Sequence, residues 1–338
     1  MSSGQGARPA QAAGQGQRRH GGSARAVLAA LGANLGIAAT KFVAFAVTGS
    51  ASLLAEAVHS VADSGNQALL LIGRNRAQRE ETDEHPFGFG AERYFYAFII
   101  AVVLFTVGAL FSLAEGISRI MHPERVLSPA VAFTVLGVAT VLEAFSFRTA
   151  IIESNRSRGR AGWRAFIRRA KAPELPAVLL EDSAALIGLG FAFCAVILAT
   201  VTGDGRWDGA GSIGIGLLLG CVAGILAVEM KSLLIGESAS GDMQRSIVAA
   251  IENGPEIERV IHLRTMHVGP ETLLVAAKIA VSRGDTAASI AAGIDAAERR
   301  IRAAVPIAEL IFLEPDLFLA ARLDATDPAV RAARRKPG

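Results

Sequence analysis

The sequence predicts an α-helical membrane protein, six transmembrane helices followed by a small C-terminal α+β domain, and three observations predict it. The 338 residues are 51% hydrophobic and 19% charged, with a mean hydropathy of +0.40, which is too apolar for an ordinary soluble domain of this length. Six stretches hold the roughly 20 apolar residues needed to cross a hydrocarbon core about 30 Å thick: Val27 to Val47, Ala51 to Gly73, Tyr94 to Gly116, Pro129 to Ile152, Pro176 to Val201 and Ala210 to Leu234. Beyond Leu234 the hydropathy drops and short amphipathic segments begin.

The basic residues orient the spans. The loop between spans two and three, with its flanks, carries Arg74, Arg76, Arg79 and Arg93, and the loop between four and five carries Arg156, Arg158, Arg160, Arg164, Arg168, Arg169 and Lys171. The opposite side has Arg119, Arg125 and Arg206, so both termini and both basic loops are expected on the cytoplasmic side. The net charge of +3 is small and gives no reason to expect a nucleic-acid partner. Five of the 34 basic residues are lysine, a bias that suggests a GC-rich bacterial source and hence the inner membrane. Cys194 and Cys221 fall inside spans five and six, where packed thiols are expected rather than a disulfide.

The flanking segments set the domain limits. Residues 1–22 are mostly Gly, Gln, Ala and Arg and are expected to be disordered, with a transit peptide as the alternative for an Arg-bearing start free of acids. A transmembrane domain over 23–236 follows. The C-terminal domain, 237–320, reads as a helix near Met243 to Asn253, strands near Glu258 to Val268 and Leu273 to Val281, a helix from Thr286 to Ala304, and a short strand at Glu309 to Glu314. That order suggests helices on one face of a small antiparallel-type sheet, with 321–338 as a flexible tail.

Ionisable side chains inside membrane helices cost about 2.5 to 3.5 kcal/mol each even on lenient scales, so each needs a compensating role. In span two Glu56, His59, Asp63 and Asn66 stand at i, i+3, i+7 and i+10, one stripe of a helix that has to face protein or water rather than lipid. The His59–Asp63 spacing puts an imidazole and a carboxylate one turn apart, an arrangement suited to zinc and similar cations. Span five offers Glu181 and Asp182, about 100° apart around the helix, one of which is expected to complete the site. Lys41 in span one and Glu143 in span four are buried by depth, and pair with each other, with the span-two acids, or serve a proton route. The plainer alternative for all of these is a hydrogen-bond network that holds the helices together.

Gly49-Ser50-Ala51-Ser52-Leu53-Leu54-Ala55-Glu56-Ala57-Val58-His59-Ser60-Val61-Ala62-Asp63, with Lys41 before it, carries a resemblance. Further along stand His85-Pro86-Phe87-Gly88-Phe89-Gly90, Glu181-Asp182, Trp207-Asp208, His262-Leu263-Arg264-Thr265 and Gly269-Pro270. Over residues 25–318 the chain resembles the cation diffusion facilitator family. Asn66-Gln67, Glu92-Arg93-Tyr94 and Leu313-Glu314-Pro315-Asp316 make it similar to the branch that includes zinc transporter nine.

The resemblance implies a homodimer of six-helix protomers whose C-terminal domains are ferredoxin-like. It implies export of Zn²⁺, as transported substrate and with no organic cofactor, from the cytosol in exchange for protons. It also implies His59, Asp63 and Asp182 as metal ligands; the buried charges of Glu56, Lys41 and Glu143 are read from their depth as proton coupling or support behind them. Many members have His or Asp where this chain has Val178, which leaves Glu181, Asn66 or water for a fourth ligand. Weaker accessory positions are Asp83 and His85 in the loop after span two, where Phe89 replaces a histidine, and His262 and His267 in the C-terminal domain, where Leu313 and Pro315 replace ligands. Fe²⁺, Mn²⁺, Co²⁺ and Cd²⁺ are the alternative metals. A non-transporting partner that keeps the fold is the alternative function. An intramembrane metallohydrolase lacks support, because no His-Glu-x-x-His helix motif is present.

Overall fold

The computed structural model describes residues 32, 34–159 and 162–318. The tails expected at 1–22 and 321–338, and the start of the first span, lie outside these residues. A helix at Asn34–Thr48 (α1) is followed by α2 (Ala51–Ala77), α3 (Glu92–Val103), a π-helical turn (Leu104–Leu110) and α4 (Phe111–Met121). Then come α5 (Pro129–Arg158), α6 (Trp163–Arg169), α7 (Glu174–Thr202) and α8 (Arg206–Ile235). Four runs are long and apolar enough to cross a membrane by length and composition: Glu92–Met121, Pro129–Arg158, Glu174–Thr202 and Arg206–Ile235. At about 1.5 Å per residue the 27 residues of α2 are also long enough, and its lower apolarity comes from the polar stripe itself. Helix α6 was expected as loop; Trp163, Phe166 and Ile167 supply its i, i+3, i+4 apolar edge, and Phe166 is buried.

The chain divides into two compact units. The first comprises the described residues up to Ala68, Val103–Thr149 and Glu181–Ala223. Its helices α4 and α8 approach backbone to backbone. A Cβ on Gly116 would stand 2.6 Å from the Gly209 carbonyl oxygen, and one on Gly209 would stand 2.8 Å from that of Gly116. The Ser212 hydroxyl donates across the same seam to the Ser112 carbonyl at 2.8 Å. Small residues that let helices touch are how bundles pack where lipid removes the hydrophobic drive. The polarity of this unit is inverted relative to a soluble protein: Val141 and Phe145 of α5 are each 69% exposed, whereas Lys41, Glu56 and His59 are at most 1% exposed. Both thiols correct the expectation of packed cysteines, because Cys194 and Cys221 are free and exposed on their helices. A span with lipid on one side has positions where an apolar thiol need not be packed.

The second unit comprises Leu69–Val102, Ala150–Leu180 and the described residues from Gly224 onward. Tyr94 and Ala97 of α3 pack on Met230 and Leu233 of α8. Arg93 bridges Glu174 at the start of α7, 2.6 Å, and Glu271, 3.3 Å. The C-terminal domain runs α9 (Gly241–Glu252), β1 (Arg259–His267), β2 (Leu273–Val281), α10 (Ala287–Ala304) and β3 (Ala308–Leu317). Ser240 caps α9 by accepting from the Met243 N–H, and Thr286 caps α10 by accepting from that of Ser289.

The sheet order is β1-β2-β3, with β1 and β2 antiparallel (Leu263 opposite Ala277) and β2 and β3 parallel (Ala277 opposite Leu313). The antiparallel-type expectation is corrected to a mixed sheet of ferredoxin-like class: a connection carrying an 18-residue helix takes the chain back to the end where β2 begins, with Ala308 opposite Leu273, so β3 runs alongside β2 in the same direction. β3 also extends past Glu314 through Pro315, which an edge strand tolerates. Ile251, Leu263, Val275, Ile279 and Ile301, all fully buried, form the domain's core.

Candidate metal centre

Helix α2 presents the predicted stripe as a buried one: Glu56, His59 and Asn66 are fully buried and Asp63 is 18% exposed. His59 Nε2 lies 3.4 Å from Asp63 Oδ2, in contact but not aligned as a hydrogen bond. The Asn66 amide donates to Glu181 Oε1 at 2.8 Å, so of the two acids on α7 it is Glu181 that reaches α2. Asp182 turns toward α5, where the Ser146 hydroxyl donates to its Oδ2 at 3.0 Å. Glu143, one turn before Ser146 on α5, stands within electrostatic reach of Asp182, His59 and Lys41. Asp63 in turn is within reach of Glu143, Lys41, Asp182 and Glu56.

Lys41 pairs with an acid of span two. Its ammonium donates to Glu56 Oε2 at 3.0 Å and to the Ser60 hydroxyl at 2.8 Å, both on α2. Across from this pair, a Cβ on Gly188 of α7 would fall 2.6 Å from Glu56 Oε1, so the absence of a side chain there makes room for the carboxylate.

Five carboxylates (Glu56, Asp63, Glu143, Glu181, Asp182) thus share one region with one lysine and one histidine. Several of their atoms are buried without a hydrogen-bond partner: both His59 nitrogens, Asp63 Oδ1, Asn66 Oδ1 and Glu56 Oε1. Buried polar atoms are normally satisfied, and lone pairs left open along one helix stripe suit a cation. Among the described residues, no three His, Cys, Asp or Glu side chains stand close enough together to hold a metal ion. The conformation therefore brings His59 and Asp63 together and keeps Asp182 on Ser146.

Sequence reasoning missed Ser60, Ser146, Gly188 and the anchor of α2. Ser60 and Ser146 stand at i+4 from Glu56 and i+3 from Glu143, a spacing that marks each as a neighbour of an acid on its own helix. The anchor is Asp208 of α8, fully buried, whose carboxylate accepts from the Ser50 hydroxyl at 2.8 Å, the Ala51 N–H at 2.5 Å, the Ser52 N–H at 3.3 Å and the Ser52 hydroxyl. Arg119 of α4 donates to the Gly49 carbonyl at 2.6 Å just before the same helix start.

The accessory positions stand apart. Asp83 and His85 are in an exposed turn where the His85 ring lies 4.6 Å from that of Phe89. His262 lines a groove of about 660 Å³ on the sheet with Arg264 and Lys278, and Lys278 pairs with Glu314 at 3.0 Å and Asp316 at 3.3 Å. His267 is 3% exposed at the end of β1, beside an ion pair of Lys171 and Glu237. Burial holds its imidazole below the usual range and the Lys171 ammonium adds to that, against weaker pulls from the Gly269 backbone and Glu237.

A folded-state value below the ordinary 6.5 means that the unfolded chain takes up the proton first, so stability contributed by neutral His267 falls as pH drops below about 6.5. Burial raises Glu237, but hydrogen bonds from Lys171 and Ser232 outweigh it and leave a net lowering, which acts only in the carboxylate range further down. Thermal unfolding of the full chain in detergent at pH 7.5 and 5.5 should show a drop that His267→Gln reduces. An identical drop in the variant would exclude His267 as its source.

Helices that turn apolar side chains outward and enclose carboxylates, an imidazole and an ammonium define a membrane-spanning bundle with a polar interior. The cation efflux transmembrane domain family model matches residues 27–235, more than half of the chain, and the chain belongs to that family, the cation diffusion facilitators. The proton-coupled zinc antiporter SLC30A9, mitochondrial, of Xenopus laevis is 34% identical over 232 residues, which are 68% of this chain and 41% of the relative. Metal tolerance protein C4 of Arabidopsis thaliana is 30% identical over 259 residues, 76% of this chain and 57% of the relative. The chain thus spans about two fifths of the SLC30A9 proteins it matches, and stands near the zinc transporter nine branch. A solved, doubly substituted C-terminal domain of MamM matches at 26% identity with a TM-score of 0.22, covering 23% of this chain and 93% of that one.

Proposed function

We propose that this chain is a secondary transporter that exports a divalent cation, Zn²⁺ first, from the cytosol in exchange for protons. His59, Asp63 and Asp182 are its ligands, and Glu181 or Asn66 supplies the fourth. The observation that carries the reading is the row of unpaired buried donor atoms on α2, His59 Nδ1 and Nε2, Asp63 Oδ1 and Asn66 Oδ1. Imidazole nitrogen and carboxylate oxygen together suit zinc, while Fe²⁺, Mn²⁺, Co²⁺ and Cd²⁺ share enough of that donor preference to be tested beside it. A divalent ion between ionised Asp63 and Asp182 is nearly neutral as a unit, which a low-dielectric site requires. When the metal leaves, the same carboxylates remain within electrostatic reach of one another, and charge balance calls for protons in its place. Metal and protons then exclude each other, and rocking of helices that exposes the site to either side in turn couples the two fluxes.

In this reading the chain works as a homodimer, with residues 23–236 as its transmembrane domain and 237–320 as its cytoplasmic domain. The membrane is a bacterial inner membrane with both termini in the cytoplasm, supported by the basic loops and the arginine bias. The test is metal flux by purified protein in liposomes, with an imposed proton gradient and a panel of the five cations. Zinc movement that collapses with the gradient is the expected result. A folded dimer that moves none of them would instead be a non-transporting partner.

A further inference from the structure

Lys41 is the one feature of the cluster that a cation site would not be expected to contain. An ammonium placed among metal ligands repels the metal, yet this one is fixed: it is 1% exposed and held at 3.0 Å by Glu56 and at 2.8 Å by Ser60. On its other side a cavity of about 300 Å³ is walled by the apolar Val135, Val138, Ala139 and Leu142 of α5, and Glu143 of that helix lies within electrostatic reach without a hydrogen bond to it. Both members of the pair are within electrostatic reach of His59 and Asp63. The room beside Gly188 accommodates Glu56 with Oε2 on the ammonium and Oε1 unpartnered.

We propose that the Lys41–Glu56 pair sets the charge, and through it the metal affinity, of the site at His59 and Asp63. Lys41 is a resident positive charge that a bound divalent cation works against, and Glu56 is the carboxylate that cancels it. Both are positioning residues, since neither is assigned a bond to the metal. This rests on the reading of the cluster as a cation site and adds to it a rule of signs. Removing Glu56 alone leaves the ammonium without the one carboxylate bonded to it, so that it opposes the metal more strongly. Removing Lys41 alone takes away a repulsion. Removing both restores the balance. A pair that served only to join α1 to α2 would give losses of the same sign for each change.

The experiment is Zn²⁺ affinity by competition with a chelating dye, on the full chain in detergent, for wild type, Glu56→Gln, Lys41→Met and the double variant. Glu56→Gln is expected to bind on the order of 10- to 100-fold more weakly. Lys41→Met is expected to bind at least as tightly as wild type. The double variant is expected within about threefold of wild type, so that the second change rescues the first. Should Glu56→Gln fail to fold, Lys41→Met and the double variant still decide the matter. Loss of tenfold or more in either of those two, with zinc bound normally by the wild type, overturns the proposal and leaves the pair a strut. No zinc binding by the wild type overturns the cation site itself.

Discussion

Replacing Asp63 with alanine is expected to reduce metal-driven flux to the level of protein-free liposomes, a loss on the order of 100-fold or more, in a protein that still folds and dimerises. Asp63 is the carboxyl partner of His59 on the α2 stripe, and its Oδ1 is one of the unpaired buried acceptors. In the proposed site alanine removes a ligand and a carboxylate together, and no other residue on that turn of α2 carries a carboxylate. The fold should tolerate the change, because the side chain's one paired contact is His59 and it is 18% exposed. Asp182→Ala is expected to behave in the same way, although its hydrogen bond from Ser146 means that the ligating conformer has to leave that hydroxyl. Glu181→Gln separates the two acids of α7. Its amide can keep the bond to Asn66 by reversing donor and acceptor, so a smaller loss is expected if Asp182 is the ligand. Wild-type flux in Asp63→Ala would sink the assigned site, whereas an inactive Glu181→Gln beside an active Asp182→Ala would transfer the role to Glu181.

Much of this molecule was legible from residue spacing. The polar stripe of α2 follows from 3.6-residue periodicity and the cost of polar groups in lipid, and the order α9-β1-β2-α10-β3 follows from a switch between periods of 3.6 and 2. What periodicity cannot supply is the neighbour a face meets. Glu181 and Asp182 differ by one position, and only packing shows that one turns to Asn66 on α2 and the other to Ser146 on α5. Lys41 had three possible partners, and the position of α1 beside α2 chose Glu56. The cysteines were misplaced for a related reason: hydropathy locates Cys194 and Cys221 within spans, but it is equally high on the side facing protein and the side facing lipid. Arg119 counted among the basic residues that orient the spans, yet the structure uses it to hold the Gly49 carbonyl just before α2.

The second large effect is expected at that same end of α2. Asp208→Ala should destabilise the protein by about 3 kcal/mol, and Asp208→Asn by about 1 to 2 kcal/mol, measured as unfolding in detergent. One carboxylate serves two helix starts, lying in the first turn of α8 and against the first residues of α2, where Ser50, Ala51 and Ser52 donate to it. The exposed N–H groups of a helix start carry partial positive charge, so a buried anion there is stabilised by direct bonds and by the helix dipole together. Ser50 Oγ already accepts from the Leu53 N–H, at 3.3 Å, and therefore caps α2 only in part. Alanine leaves the Ala51 and Ser52 N–H groups and the Ser50 hydroxyl without this acceptor in a site closed to water, with only the Ser52 hydroxyl keeping a bond to the residue 208 carbonyl at 3.0 Å, while asparagine keeps the shape and one acceptor but loses the charge. Because α2 carries His59 and Asp63 two and three turns further on, the freed helix should also bind zinc more weakly. An alanine variant within about 0.5 kcal/mol of wild type, the usual range for an uninvolved surface position, would show that α2 is held by Arg119 and its packing instead.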